Sequence, residues 1–205
     1  MKKIIISAAL ILCSLPVFAQ GLYFDIGLGF GKGWTTIGGE KPITGNPSEL
    51  TMDMGLKLGY GPIGGIPLYI VGETGGMAHR YEGKEMYTGK NAHAQFNSYI
   101  FGPGVIYYPT PLIQLGVSVG FSWIANSTNL PFPASEYENF KSKSGYAYNI
   151  YAAVDLGESN HGCLLGMKYF YAKNKIEYHG ESLGIDQKQS MLALFIKYAY
   201  RHKGE

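Results

Sequence analysis

From Leu22 to Tyr200 the chain is a succession of about eight stretches in which apolar residues alternate with small or polar ones, and almost nothing carries helical periodicity. Side chains on a strand point to opposite faces in turn, so each stretch presents one greasy face and one small or polar face. The clearest runs from Leu22 to Phe30: Leu22, Phe24, Ile26, Leu28 and Phe30 share one face, and Tyr23, Asp25, Gly27 and Gly29 the other. Leu50, Met52, Met54, Leu56 and Leu58 repeat the pattern, as do Leu115 to Trp123, Tyr146 to Leu156 and Leu192 to Tyr200. Strands are therefore expected near 22–34, 49–60, 68–81, 95–108, 112–125, 145–156, 163–172 and 189–200. Around Gly72, Gly75, Gly76, Gly102 and Pro103 the phase is weaker.

Short punctuators dense in Gly, Pro and Asn lie at 60–67, 108–111 and 157–162, and longer polar segments near 35–48, 82–94, 126–144 and 173–188. Short turns at one end and long loops at the other is how transmembrane barrels are built. The expected fold is all-β: an eight-stranded antiparallel transmembrane β-barrel with short periplasmic turns, longer extracellular loops and both termini on the periplasmic side.

Residues 1–19 read as a cleaved signal peptide, with Lys2 and Lys3 before the apolar run Ile4 to Leu15 and Val17-Phe18-Ala19 as the cleavage site. Cys13 belongs to that apolar core, since bulky Leu12 precedes it where a lipoprotein signal needs a small residue. Residues 20–205 form one domain, and Cys163 is its only cysteine, so no internal disulfide is available. Without Lys2 and Lys3 the chain holds 15 basic residues against 15 acidic ones, which argues against nucleic acid as a partner. Charged residues make up 16% of the chain, against roughly 25% in soluble domains. The non-apolar faces are mostly glycine, serine and alanine, which suits a crowded interior better than a water-washed exterior.

Alternation alone does not say which face points outward, because a soluble lipocalin-like barrel has the same period with its apolar side inside. Aromatic placement decides for the membrane. Tyr60, Tyr107, Tyr108 and Tyr200 fall where strands meet short turns or the C-terminus, and Trp34, Trp123 and Tyr146 fall at the long-loop ends. Two such rings are expected as interfacial girdles.

The run 97–109, Asn-Ser-Tyr-Ile-Phe-Gly-Pro-Gly-Val-Ile-Tyr-Tyr-Pro, continuing into Leu115-Gly-Val-Ser-Val-Gly-Phe-Ser-Trp123, resembles the small outer-membrane barrels, the class of the OmpA membrane domain, OmpX and OmpW. The resemblance implies an outer-membrane location and a surface of the lipopolysaccharide type as surroundings. It also implies a terminal strand, here Leu194, Ile196, Tyr198 and Tyr200 ahead of Arg201 to Glu205, read by the barrel-assembly machinery during biogenesis.

Charges on the inward face form the first candidate site: Asp25, Asp53, Lys57, Glu73, Lys168 and Lys197, with Asp155 in the same phase. In a crowded interior they must pair, because an unpaired charge costs several kcal/mol. Asp25, Lys57 and Lys197 are expected near one depth when barrel stagger is ignored. A static plug of salt bridges and a rearranging gate are both compatible with the set.

Five histidines, His79, His93, His161, His179 and His202, show no repeated metal-ligand spacing, so no metal or other cofactor is expected. Barrels of this class include lipid acyl-transferases and deacylases; His79, Ser98 and Glu73 could be neighbours here, but the histidine two residues before a serine is missing. No enzymatic activity is expected. The segment 126–144 carries Leu130, Phe132, Tyr137 and Phe140 among prolines and charges, suited either to a protein or lipid contact or to folding over the barrel mouth. The expected role is structural or surface-interacting through the loops, as a monomer, with an extracellular protein or small solute as partner. The alternatives are a narrow porin-like channel for small or hydrophobic solutes and, behind it, a lipid-modifying enzyme.

Overall fold

The computed structural model describes residues 21–43, 46–84, 89–129, 134–157 and 160–201. The expected signal peptide, Leu130, Phe132, His202 and the side chain of Tyr137 lie outside the described residues. Within them the chain runs β1 (Gly21–Ile37), β2 (Ser48–Gly61), β3 (Leu68–Lys84), β4 (Asn91–Thr110), β5 (Ile113–Ile124), the two-residue β6 (Ser127–Thr128), a 3-10 turn over Ala134–Asn139, β7 (Phe140–Asp155), β8 (His161–Tyr178) and β9 (Glu181–Arg201). Each long strand pairs antiparallel with the next, and β9 returns to β1, so the eight long strands close into a ring. Closure leaves no unpaired sheet edge inside a bilayer, where no water could satisfy one.

The stagger of that ring follows from its register. Stepping across the ladder from Ile26 passes Leu56, Thr74, Phe101, Phe121, Tyr146, Lys173 and Lys188 and comes back to β1 at Thr36, ten residues further along. With a rise of ~3.3 Å per residue and strands ~4.8 Å apart, that shear tilts the strands by roughly 40° from the barrel axis. An eight-stranded ring at this tilt has an interior only as wide as its own side chains.

Burial is inverted relative to a water-soluble protein. Leu22, Ile26, Leu28, Phe30, Met54, Val119, Leu194 and Ile196 all face outward, and Phe121 is 79% exposed. Asp25, Lys57, Glu73, Asp155 and Lys197 are buried. The apolar set of each stretch is thus the outer wall and the polar set the lumen.

Two of the expected long loops are largely strand. The segment near 173–188 continues as a paired hairpin, with Lys173 opposite Lys188 and Tyr178 opposite Glu181. The segment near 82–94 keeps pairing up to Lys84 opposite Asn91. In the first of these the outward row of large apolar residues stops, with Lys173 and Lys175 in its place and Ile176 turned inward, while the backbone ladder carries on. His179 (φ 49°) and Gly180 (φ 86°) close the β8–β9 hairpin, both in the left-handed region that a tight hairpin turn requires. His179→Gly is expected to raise stability by about 0.5–1 kcal/mol in urea unfolding, because a side chain at positive φ is strained.

At the same end the ring splits into two walls. The β1–β2 ladder stops at Gly31–Thr51 and the β5–β7 ladder at Phe121–Tyr146, while β8–β9 and β3–β4 run on. One wall is β7-β8-β9-β1; the other is β2-β3-β4 with β6.

Candidate functional site: the plugged lumen and the outer wall

The inward charges stack as pairs from the short-turn end to mid-barrel. Arg201 Nη2 lies 3.1 Å from Asp155 Oδ2, Lys197 Nζ 3.2 Å from Asp25 Oδ1, and Lys57 Nζ 3.2 Å from Glu73 Oε1. Lys168 pairs with Asp53. Four carboxylates thus meet four cations. Asp25 and Lys57 are direct cross-strand partners, whereas Lys197 stands opposite Gly27, two residues further along. The shared depth expected for the three therefore holds for Asp25 and Lys57, and Lys197 reaches Asp25 diagonally. Gly27 makes room for this, because a Cβ there would meet the Lys197 side chain.

Aromatic rings pack between the pairs. The Lys57 and Lys197 ammoniums lie 4.8 and 4.4 Å from the Tyr151 ring centroid, and Tyr151 meets Phe195 edge-on at 5.6 Å. Gln114 donates to the hydroxyls of Tyr23 (2.9 Å) and Tyr108 (2.6 Å), and Tyr23 donates onward to Asp25 at 2.8 Å.

Above mid-barrel the lumen is bonded mainly by amides and hydroxyls, with Glu49 beside the buried His79. Asn149 of β7 donates to Glu73 of β3 at 2.8 Å at the boundary. Ser98 of β4 donates to Gln189 of β9, whose amide donates to the Phe96 carbonyl at 2.9 Å. Asn126 donates to Gln187 at 2.8 Å. These bonds cross the lumen from one wall to the other.

The aromatic residues expected in the girdles fall on the outer face with one exception. Trp34, Tyr107, Trp123 and Tyr146 are exposed, and Tyr60 and Tyr200 half-buried. Tyr99 stacks on Trp123 at 5.3 Å, joining the ring at the long-loop end. Tyr108 belongs to the lumen instead, buried under the Arg201 guanidinium at 4.2 Å. Adjacent strand residues point to opposite faces, so Tyr107 and Tyr108 cannot share a girdle. Arg201, which follows the last apolar residue of the terminal strand, is likewise a lumen residue, in the even-odd phase of β9 extended by one residue.

A scan against protein-family models finds no match, and neither does a search of curated proteins. Solved structures do match. Ail, the attachment invasion locus protein of Yersinia pestis in complex with the heparin analogue sucrose octasulfate, superposes with a TM-score of 0.50 at 12% identity, over 86% of this chain and 98% of that one. Neisserial surface protein A gives 0.46 at 13% identity, over 90% and 100%. The outer membrane protein OprG of Pseudomonas aeruginosa gives 0.41 at 15%, over 89% and 97%. The chain has the fold of the eight-stranded outer-membrane β-barrels.

In that frame the short turns are periplasmic and the two walls stand on the extracellular side. The barrel does not bring the enzyme candidates together. His79 Nδ1 lies 2.9 Å from Thr35 Oγ1 and its Nε2 3.7 Å from Glu49 Oε2, Ser98 is bonded to Gln189, and Glu73 to Lys57 and Asn149. Among the described residues no three metal-ligating side chains gather, and His79, His93 and His179 sit apart. Phe140 heads β7 and packs edge-on against Tyr178 at 6.1 Å, so this loop aromatic is part of the extracellular wall. Tyr178 also donates to Glu136, a bond that raises its phenol pKa.

Proposed function

We propose that the barrel is a closed membrane scaffold whose working part is the pair of extracellular walls, acting by surface contact with lipid or an external partner. The observation carrying this reading is the set of hydrogen bonds that cross the lumen at successive depths: Gln114–Tyr23, Asn149–Glu73, Ser98–Gln189 and Asn126–Gln187. A solute would have to break several of them together, in an interior already filled by Tyr23, Tyr151, Phe195, Met77 and Ile100. The outward residues of β9, Leu194 to Tyr200, suit recognition by the barrel-assembly machinery during insertion.

One feature supports the narrow channel as a second reading. Between the unpaired ends of β1 and β2 the walls part, and near this opening Ile43, Pro47, Tyr81 and Ala94 form the apolar side of a hollow of about 290 Å³ whose other side carries Asn46, Glu82, Lys84 and His93. Small hydrophobic solutes could lodge there.

The two readings separate in lipid vesicles carrying the refolded barrel, its folding checked by a heat-dependent gel shift. Sugar and ion permeability is expected to equal that of empty vesicles. Permeability well above that background would overturn the closed-scaffold reading in favour of the channel.

A further inference from the structure

The outer wall formed by β7, β8 and β9 carries a vertical sequence of chemistries. At its extracellular end Lys173 and Lys188 stand directly opposite each other, and Lys175 follows on the same face. Like charges directly opposite on neighbouring strands repel. Asp186 relieves one of them, at 2.8 Å from Lys173 Nζ, and the outward-facing Glu177 stands beyond Lys175. Lys188 and Lys175 are exposed and have no ion-pair partner among the described residues.

Immediately below, Tyr146, Tyr148, Tyr169 and Tyr171 form a shelf on the same face, with Tyr148 and Tyr171 stacked at 5.2 Å and Tyr146 tilted against Tyr171 at 6.2 Å. Below the shelf lies a groove of about 500 Å³, lined by Ile150, Ala152, Met167, Tyr169, Leu192 and Leu115. Ala152 creates it, being a small residue in an outward row of large ones. Met167 and Lys173 are six residues apart on β8, so the groove and the lysines are separated by ~20 Å along the strand. On the facing wall the outward Arg80, paired with Glu82 at 2.6 Å, stands opposite the uncharged Leu50 and Gln95 instead of a second cation.

Cations, then phenols, then an apolar groove is the order of a lipid seen from headgroup to chain. We propose that this wall binds one phosphorylated glycolipid of the outer leaflet. Lys173, Lys175 and Lys188 would hold its phosphate groups, the tyrosine shelf its sugar, and the Ala152 groove an acyl chain. Charge-assisted bonds to phosphate are strong, and tyrosine is at home at the level where sugar meets chain. The site faces sideways into the bilayer, which selects a lipid over a dissolved anion. The inference rests on the surface-contact reading above and names its ligand.

The test uses native mass spectrometry of the refolded full barrel in detergent, titrated with a bis-phosphorylated lipid A, with the same lipid stripped of phosphate, and with inorganic phosphate. Wild type is expected to bind the phosphorylated lipid at least tenfold more tightly than the stripped one, and inorganic phosphate not measurably. The pair Lys173→Gln and Lys188→Gln should erase most of that preference. Ala152→Phe should weaken both lipids alike, and Arg80→Gln on the other wall should change nothing. All four substitutions face outward, so the heat-dependent gel shift should be retained and report folding independently. Equal binding of the stripped lipid, wild-type affinity in the double variant, or equal competition by inorganic phosphate would each overturn the proposal. None of these results bears on vesicle permeability, so the closed scaffold stands or falls separately.

Discussion

Lys57→Met is expected to destabilise the barrel by about 3–5 kcal/mol, measured as urea unfolding in lipid vesicles, because it strands a buried carboxylate. Lys57 is 1% exposed and lies 3.2 Å from Glu73, which is 3% exposed and keeps the Asn149 amide but loses its ion pair once the ammonium is gone. Methionine matches the length of lysine, so packing is largely kept and the loss is electrostatic. Added salt should not rescue the variant, since screening does not reach a sealed interior. The double change Lys57→Met with Glu73→Gln should recover most of the loss, as removing both partners leaves no orphan charge. Asp25→Asn combined with Lys57→Met should be non-additive, since Asp25 and Lys57 face each other across β1 and β2 and Lys197 bonds Asp25. Additive losses would mean that the pairs do not form one network.

Tyr151→Ala should cost a similar ~3–5 kcal/mol, for a different reason: it empties the middle of the lumen. The ring is 3% exposed, seated between two ammoniums, braced by Phe195, and closely apposed to Gly116, where a Cβ would run into it. Removing it leaves a cavity beside four charged groups, which water will fill. Vesicles carrying this variant should leak small ions faster than wild-type vesicles. A loss under about 1 kcal/mol with unchanged tightness would show that Tyr151 does not plug the barrel. Gly116→Val approaches the same point from the other side, by forcing the ring from its seat.

Much of this was legible in the alternation. Asp25, Asp53, Lys57, Glu73, Lys168 and Lys197 all occupy the lumen face that their phase assigned, because period 2 is a local property of any strand. The expected strand centres match the structure for the same reason. Where period 2 loses contrast, the sequence stops marking the strand. Above the membrane the outward face from Lys173 to Asp186 is charged or small and polar, with Ile176 turned inward, so a continuing hairpin looks like a loop. Tyr108 was grouped with Tyr107 by proximity to a turn, although strand phase separates them. Arg201 lies one residue beyond the last apolar side chain, and nothing local marked it as the partner of Asp155.

The sequence by itself determined the class of fold, the direction in which each side chain points and the need for inward charges to pair. Which carboxylate meets which cation was decided by the tertiary structure alone. Pairing depends on a shear of ten residues accumulated around the ring, and that quantity belongs to no single strand. The same closure brings Gln114 to Tyr23, 91 residues apart, and Lys197 to Asp25, 172 apart. Short-range patterning sets faces; only closing the ring sets neighbours.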